Sequence, residues 1–392
     1  MLEERPVILH KGIFKPTATT AEAVFMITGM TIGAGILVIP YAVEQVGLLI
    51  GLGFIFGLGL IVLLLNLMIG EIIVRTKAPL QLPGLAEKYL GKWARNLLSA
   101  TMLFSSFGSL LVYIIGEGKT LQALFGGNGI IWSIIFWSIG SFCIVAGLQR
   151  LRVIEKVFGI IIMAIIIFIS VLLLPHFSAT NIFSVNLSRL FFPLGIILFA
   201  LHATPAIAEA HALLPNANRR FRRAVIIGTL IPIALYALFA LAVVGFTGHN
   251  TTEIATIGLG KSLGPAIMTL ISIFAILAMS TGFMGLGTAL REIFVWDWKM
   301  NDHGATFLVI ALPLSLFLLG IRDFTASINF IGGLFISIES IIICGIYARA
   351  RQLGDIAPVH YRYSRHAWLA IVPVLLFFST LFITSTVRLF LP

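Results

Sequence analysis

The sequence predicts an all-α polytopic membrane protein with eleven transmembrane helices, ten of which form a 5+5 inverted repeat. Three observations support this prediction. Hydrophobic residues make up 59% of the 392 positions, and charged residues only 11%. The apolar residues lie in eleven segments, each near the length of about 20 residues that crosses a bilayer as a helix. The first and sixth segments are interrupted in the middle by glycine or proline.

The eleven segments divide the chain into a tail, two repeats and one extra helix. The N-terminal tail, 1–18, lacks the charged, apolar and small-residue order of a cleaved signal peptide, so the first apolar run is expected to be a true span. The first five-helix repeat covers 19–174, the second covers 190–350, and the eleventh helix covers 367–387. The predicted spans are 19–45, 47–74, 94–115, 130–148, 153–174, 190–214, 223–247, 263–296, 304–320, 325–348 and 367–387.

The basic residues predict the orientation. If every segment crosses once, 21 of the 26 Lys and Arg residues fall on the side of the N-terminus. Because basic loops remain in the cytoplasm, the N-terminus is expected to be cytoplasmic and the C-terminus outside the cell membrane. The net charge of +10 therefore reflects membrane topology rather than nucleic-acid binding. Cys143 and Cys344 lie inside apolar runs, so neither a disulfide nor a metal site is expected.

The first span carries the sequence TGMTIGAGILVIP at 28–40, with glycine at 29, 33 and 35. Each glycine weakens a helix by about 1 kcal/mol relative to alanine. A helix broken at membrane depth leaves backbone groups that lipid cannot satisfy, and transporters use such breaks as binding sites. The alternative is a small-xxx-small pattern, Gly29-xxx-Gly33, which lets two helices pack closely.

The sixth span contains Pro205, which removes a backbone donor and leaves the carbonyl of Leu201 without its helical partner. His202, Thr204 and Glu209 place polar groups around this proline at membrane depth. The two interrupted spans are five apart, and five is odd, so the two halves would insert with opposite orientation. This is the inverted-repeat pattern of many secondary transporters, in which the substrate binds where the two breaks meet.

The motifs TGMTIGAGILVIPYA at 28–42, SLLVYIIGEGKTL at 109–121 and FALHATPAIAEAHALL at 199–214, followed by RRFRRAVIIGTLIPIALYALF at 219–239, resemble the amino acid/auxin permease family. The resemblance is nearest to the prokaryotic hydroxy- and aromatic-amino-acid permeases, within the amino acid–polyamine–organocation superfamily. It implies the 5+5 inverted-repeat fold. It also implies that the amide groups of Gly33, Ala34 and Gly35 hold the substrate carboxylate. The ammonium group would meet the carbonyls of Gly29, Met30, Phe199, Ala200 and Ala203.

The substrate side chain is predicted to be neutral. No Lys or Arg lies in the centre of any span, whereas an anionic side chain would require a paired cation there. Phe199 and His202 are expected to line the side-chain pocket, and Tyr113 to close it. Alternatively, Tyr113 belongs to the aromatic belt at the membrane interface. The alternative role of His202 is a purely structural hydrogen bond.

The sequence alone does not decide between two coupling ions, sodium and the proton. A sodium ion could be bound by Ser280 and Thr281 together with the carbonyls of Gly29 and Ile32, although such hydroxyls often bond to their own helix. A proton could be carried by Glu339, Glu209 or His202. Glu339 lies near the middle of the tenth span, where an unpaired carboxylate is costly, and its alternative is a structural carboxyl hydrogen-bonded to a neighbouring helix.

These features favour a secondary active transporter that imports neutral amino acids by cation-coupled alternating access. Phe199, Tyr113 and the glycines leave room for an aromatic or branched side chain, and nothing in the sequence excludes serine or threonine. Spans 1, 2, 6 and 7 would move against spans 3, 4, 8 and 9. Proton symport is favoured, with sodium symport as the alternative. The rival class is a sensor that binds an amino acid without transporting it. We find no motif of an enzyme, and we expect no cofactor beyond the coupling ion and no partner beyond the substrate and the lipid bilayer.

Overall fold

The computed structural model of the chain describes residues 19–78, 80–146, 151–182, 185–215, 217–296, 298–356 and 368–390. These residues form helices and no strands, which agrees with the predicted all-α class. The predicted tail 1–18 lies outside the described residues. The fold can therefore be described from span 1 to span 11 but not before Thr19.

Sixteen α-helices follow one another along the described chain, with short 3₁₀ turns and one π-helical turn between them. The helices of the first predicted repeat are α1 Thr20–Thr31, α2 Gly35–Val46, α3 Leu48–Arg75, α4 Leu82–Leu90, α5 Lys92–Phe125, α6 Gly129–Val145 and α7 Leu151–Leu173. Those that follow are α8 Phe192–Leu201, α9 Thr204–Leu213, α10 Asn218–Thr247, α11 Ala255–Leu263, α12 Pro265–Trp296, α13 Asp302–Leu318, α14 Phe324–Phe330, the π turn Ile331–Phe335, α15 Ile336–Leu353 and α16 Trp368–Phe390.

Most of the predicted spans correspond to long apolar helices. Seven helical stretches of the described chain are long and apolar enough to cross a membrane, and the bent pair α1–α2 forms an eighth. The predicted spans 4, 9 and 11 correspond to shorter apolar helices, Gly129–Val145, Asp302–Leu318 and Ile371–Val387. These three fall below the usual length of about 20 residues, so the count of eleven spans stays a prediction.

Local signals explain where the first helices begin and end. Thr19 accepts a hydrogen bond from the amide of Glu22, whose carboxylate accepts one from the amide of Thr19, and this capping box starts α1. Gly47 separates α2 from α3 as a single residue with φ of 99°, a conformation that favours glycine. The chain can therefore reverse between spans 1 and 2 without a loop.

The helices pack in two groups. In the first group α10 packs against α3, α1 and α2, while α8 packs against α2 and α3. In the second group α5 packs against α12, α6 and α13. These groups contain the same helices as the predicted mobile set, spans 1, 2, 6 and 7, and the predicted static set, spans 3, 4, 8 and 9. The motion itself stays a prediction.

The glycines of α3 divide between the two sides of that helix. A Cβ on Gly51 would lie 2.6 Å from Val43, and a Cβ on Gly59 would lie 2.7 Å from Ile233, so both glycines allow close packing inside the molecule. Gly53 and Gly57 are exposed, and a Cβ on either would meet no atom within 4 Å. Only the first two glycines therefore have a packing role inside the chain.

A short helix, α4, follows span 2. Asp355, just beyond α15, accepts hydrogen bonds from the side chain of Lys88 on α4 and from the amide of Lys77. Nearby, the buried carboxylate of Glu71 pairs with Arg75 at 2.8 Å and accepts a hydrogen bond from Tyr347 at 3.0 Å. These polar contacts join α3, α4 and α15 at the end of the molecule that is predicted to be cytoplasmic.

Candidate functional site

Span 1 is interrupted as predicted, with an angle of 61° between α1 and α2. The amide of Ile32 still bonds to the carbonyl of Thr28 at 3.0 Å. Among the described residues, the amides of Gly33 and Ala34 have no hydrogen-bond acceptor, and the carbonyls of Gly29 and Met30 have no donor. As the first residue of α2, Gly35 contributes an amide that has no partner within its own helix. The break therefore exposes donors and acceptors side by side.

Span 6 is also interrupted, but the break lies before the proline at which the sequence predicts a kink. The helix α8 ends at Leu201, and α9 begins at Thr204 with Pro205 in its first turn. Proline suits the first turn of a helix, where its missing amide would have no partner, so Pro205 lies inside α9. The non-helical residues are His202 and Ala203.

The span 6 carbonyls implied as ammonium ligands already accept hydrogen bonds. Phe199 accepts from the amide of His202 at 3.3 Å, and Ala203 accepts from the amide of Ala206 at 3.0 Å. A carbonyl oxygen has two lone pairs, so each of these oxygens can accept one further hydrogen bond. They are less available than the carbonyls of span 1.

The two breaks meet at Gly35 and Ala200. A Cβ placed on Gly35 would lie 2.5 Å from both the Cα and the Cβ of Ala200. Only glycine at position 35 therefore lets α2 and α8 approach at this distance. The approach brings the start of the second half of span 1 against the end of the first half of span 6, which is where a substrate could contact both breaks.

Tyr236 on α10 ties the two breaks together, and the sequence analysis missed it. Its fully buried hydroxyl lies 2.8 Å from the carbonyl of Thr31 and 3.1 Å from that of Ala200, and donates to both. Both carbonyls would have continued a helix if the spans were not broken. One signal could have identified this residue, because a tyrosine in the middle of a span lies outside the interfacial belt and needs a buried partner.

His202 and Glu339, which the sequence marked separately, contact each other. The Nε2 atom of His202 lies 3.2 Å from Oε1 of Glu339, and the side chains are 20% and 2% exposed. The contact depends on Gly195 and Gly332, which bring the backbones of α8 and the π turn together. His202 lies seven residues after Gly195, and Glu339 lies seven residues after Gly332. Seven residues make about two helical turns, so the two segments come into contact a second time about two turns further along. A π turn in a membrane helix often marks a functional position.

Tyr113 on α5 lies between the first break and span 8. Its hydroxyl would be 3.2 Å from a Cβ on Gly33, and its ring 2.5 Å from a Cβ on Gly282. Tyr113 therefore lies beside the break in span 1 and beside span 8. The neighbouring hydroxyl of Thr281 donates to the carbonyls of Leu277 and Ala278 at 2.8 and 3.2 Å.

The structure also locates the remaining predicted site residues. Ser280 is half-buried beside Thr281, and Ile32 is buried at the end of α1. Glu209 is half-buried on α9, seven residues after His202. A Cβ on Gly29 would meet no atom within 4 Å.

Two surface pockets lie away from the breaks. One, of about 190 Å³, is lined by Glu44, Arg189 and His249 near the end of span 1. The other, of about 600 Å³, is a largely apolar groove beside Trp137 and Phe307, between spans 4 and 9. The case for a substrate site therefore rests on the free backbone groups at the two breaks and not on these pockets.

The fold is similar to that of solved transporters. MhsT in complex with L-phenylalanine matches with a TM-score of 0.65 and 16% identity, over 94% of this chain and 99% of that chain. A nucleobase-cation-symport-1 family transporter in a closed conformation, with bromovinylhydantoin bound, gives 0.62 and 12%, over 95% and 90%. A manganese transporter of Eremococcus coleocola gives 0.63 and 13%, over 94% and 86%. At these identities the similarity shows the fold alone.

Curated relatives and a family model agree with the resemblance found in the sequence. Tyrosine-specific transport system 1 of Haemophilus influenzae is 25% identical over 320 residues, 76% of this chain and 78% of the relative. Glutamine transporter 2 of Aliivibrio fischeri is 25% identical over 312 residues, 74% and 79%. Both relatives are named as transporters. The tryptophan/tyrosine permease model matches residues 17–383, and the chain belongs to that family.

Proposed function

We propose that the chain is a secondary active transporter that imports neutral amino acids, preferably aromatic ones, by proton symport. The observation that carries the proposal is the meeting of two broken helices at Gly35 and Ala200 beside free backbone amides and carbonyls. A zwitterion needs donors for its carboxylate and acceptors for its ammonium group, and this arrangement offers both without a charged side chain.

The substrate carboxylate would bind the amides of Gly33, Ala34 and Gly35. The first two have no other acceptor among the described residues, and all three lie at the start of α2, where the helix dipole favours an anion. The ammonium group would bind the carbonyls of Gly29 and Met30, which have no other donor there. The span 6 carbonyls at 199, 200 and 203 would contribute through their second lone pairs.

The side chain of the substrate would lie beside Tyr113, Phe199 and His202. These residues present aromatic rings and no full charge when His202 is neutral, which suits an aromatic side chain. Relatives of this chain are named for tyrosine and for glutamine, which supports a substrate with a polar group. A hydroxyl or amide there could hydrogen-bond to His202 or Tyr113.

The coupling proton would be held by the pair His202–Glu339. Their contact links the break in span 6 to span 10, so protonation of this pair would change the attraction between span 6, one of the moving helices, and span 10. Glu209, on the other half of span 6, would be a further acid on the exit side. Alternating access would move spans 1, 2, 6 and 7 against spans 3, 4, 8 and 9.

Sodium symport is the alternative, with ligands at Gly29, Ile32, Ser280 and Thr281. The hydroxyl of Thr281 donates its proton within its own helix, so its oxygen keeps lone pairs that could bind a cation. A non-transporting sensor is the second alternative, because the same backbone groups could bind an amino acid without moving it.

Purified chain in proteoliposomes separates these functions. Labelled L-tyrosine and L-glutamine would be supplied with a proton gradient or a sodium gradient imposed separately, and counterflow would be measured without either. We expect counterflow, and accumulation only with the proton gradient. Accumulation that requires sodium would select the sodium alternative. Binding without counterflow would contradict transport and select the sensor.

A further inference from the structure

A buried carboxyl group on α5 has no role in the function proposed above. Glu117 is 1% exposed, and its Oε2 atom has no hydrogen-bond partner. No described residue forms an ion pair or a hydrogen bond with this side chain. An ionised carboxylate buried without a partner costs several kcal/mol, and this cost falls when the group binds a proton. The surroundings of Glu117 therefore fit the neutral acid.

Two hydroxyls on or beside this part of α5 donate to backbone carbonyls. Ser133 donates to the carbonyl of Ile114 at 2.9 Å, and Thr120 donates to the carbonyl of Gly116 at 2.9 Å. Neither of these hydroxyl protons is therefore available to stabilise a negative charge on Glu117.

Close packing flanks Glu117 along α5. A Cβ on Gly116 would lie 2.6 Å from Phe324 of α14 and 2.7 Å from Met279 of α12. On the other side, Gly118 packs directly against Ser133 of α6. Three neighbouring helices thus contact α5 immediately before and after Glu117.

Few charged groups lie on the elements that pack against this part of α5. Lys119, two residues on, is paired with Glu253 at 2.7 Å, and Asp323 caps α14. Arg322 precedes α14, and Lys261 lies on α11. The other charged residues and histidines on the packing elements lie towards the opposite end of α5 or inside span 10, namely Glu87, Lys88, Arg291, Glu292, Asp302, His303, Glu339, Arg349 and Arg351.

Glu117 lies between the candidate site and one end of the molecule. It is one helical turn beyond Tyr113, which contacts the first break, and it precedes the Lys119–Glu253 pair at the end of α5. On the predicted orientation this is the outer end. Opening the outer half to admit substrate would bring water to Glu117, whereas closing it would bury the carboxyl again.

We propose that Glu117 is a proton-binding site whose occupancy is linked to closure of the outer half of the transporter. Closure favours the protonated acid. When the outer half opens, the O–H bond of the acid breaks, the proton passes to solvent water, and the hydrated carboxylate remains. The role of Glu117 in a transport cycle rests on the proposed function, whereas the protonation of Glu117 does not.

Infrared difference spectroscopy of the full chain in lipid nanodiscs tests the protonation. At neutral pH, the wild-type spectrum minus that of Glu117→Gln should show the C=O stretch of a protonated carboxylic acid. The matched control is Glu253→Gln, which removes a half-exposed, lysine-paired carboxylate and should show carboxylate bands only. Should Glu117→Gln fail to fold, Glu117→Asp should shift the acid band without removing it. Carboxylate bands for Glu117 would overturn the proposal, as would an acid band that Glu117→Asp leaves in place.

Binding of labelled L-tyrosine to the purified chain across a pH series tests the linkage. One linked proton changes an apparent affinity by up to about tenfold per pH unit. The affinity of Glu117→Gln for L-tyrosine should no longer change with pH in this way, whereas the affinity of Glu253→Gln should keep the wild-type pH dependence. An unchanged pH dependence in Glu117→Gln would overturn the linkage.

The outcome for Glu117 is separable from that for transport. A wild-type chain that binds L-tyrosine but shows no uptake would contradict the proposed function, and the infrared and binding results would still decide the role of Glu117. If the chain bound no L-tyrosine, the infrared result alone would decide whether the site holds a proton.

Discussion

Replacing Gly35 with alanine tests whether the contact between the two breaks builds the site. The added Cβ would lie 2.5 Å from the Cα of Ala200, whereas carbon atoms in contact are about 3.5 Å apart or more. The backbones of α2 and α8 must therefore separate by about 1 Å. Overpacking of this kind costs about 1–3 kcal/mol, and alanine regains at most about 1 kcal/mol of helix propensity, so we expect Gly35→Ala to be destabilised by about 1–2 kcal/mol.

The effect on substrate binding should be larger than the effect on stability. A displacement of about 1 Å lengthens a hydrogen bond from about 2.9 Å to a distance at which it is lost. Losing one hydrogen bond to the substrate carboxylate costs about 1.5–3 kcal/mol, which corresponds to a fall in affinity of about 10-fold to 150-fold. Affinity for labelled L-tyrosine and thermal stability in detergent would be measured on the same preparations.

Two other glycines provide a graded control. A Cβ on Gly33 would lie 3.2 Å from the hydroxyl of Tyr113, so Gly33→Ala should cause a smaller loss. A Cβ on Gly53 meets nothing within 4 Å, so Gly53→Ala should bind substrate normally and be as stable as the wild type or more so. Because the clash at Gly35 includes the Cα of Ala200, adding Ala200→Gly should not restore binding. If Gly35→Ala behaved like Gly53→Ala, the two breaks would not meet as described.

Three further predictions follow from single contacts. Tyr236→Phe leaves two buried carbonyls without their donor and should lower the free energy of unfolding by about 1–3 kcal/mol, measured as thermal denaturation in detergent; unchanged stability would contradict the bridging role. Glu339→Gln keeps a hydrogen bond with His202 but cannot exchange a proton, so counterflow should persist while proton-driven accumulation is lost, and normal accumulation would exclude Glu339 as the carrier. Hydrogen bonds from Lys88 and from a backbone amide hold the pKa of Asp355 below its usual range. The stability it contributes is present above the pKa of an unfolded aspartate, about 4, and is lost as the pH falls through the lower folded value, so Asp355→Asn should remove this part of the acid dependence of thermal stability.

The class of the protein and the existence of both breaks could be predicted from the sequence because each depends on local chemistry. A long apolar run can satisfy its backbone in lipid only as a helix, whatever its neighbours. Glycine at 33 and 35 and proline at 205 weaken helical geometry through their own backbone properties.

The position of the second break shows where local reasoning stops. Proline predicts a kink at its own position, but a helix that begins at Thr204 accommodates Pro205 without strain. The interruption moves to His202 and Ala203, and the carbonyl of Ala200 finds a partner in Tyr236 on another helix. Nothing in the sequence of span 6 indicates that Tyr236 is this partner.

By itself, the sequence determined that this chain crosses a membrane through helices, two of them broken, and that it resembles amino acid permeases. Only the tertiary structure decided which groups meet: Gly35 with Ala200, His202 with Glu339 at a separation of 137 residues, and Tyr236 with both breaks. The physical reason is that helical periodicity and backbone propensity act over a few residues. The contacts that build the site depend instead on how closely the backbones of separate helices can approach, which the glycines at 35, 195 and 332 control only once the helices are assembled.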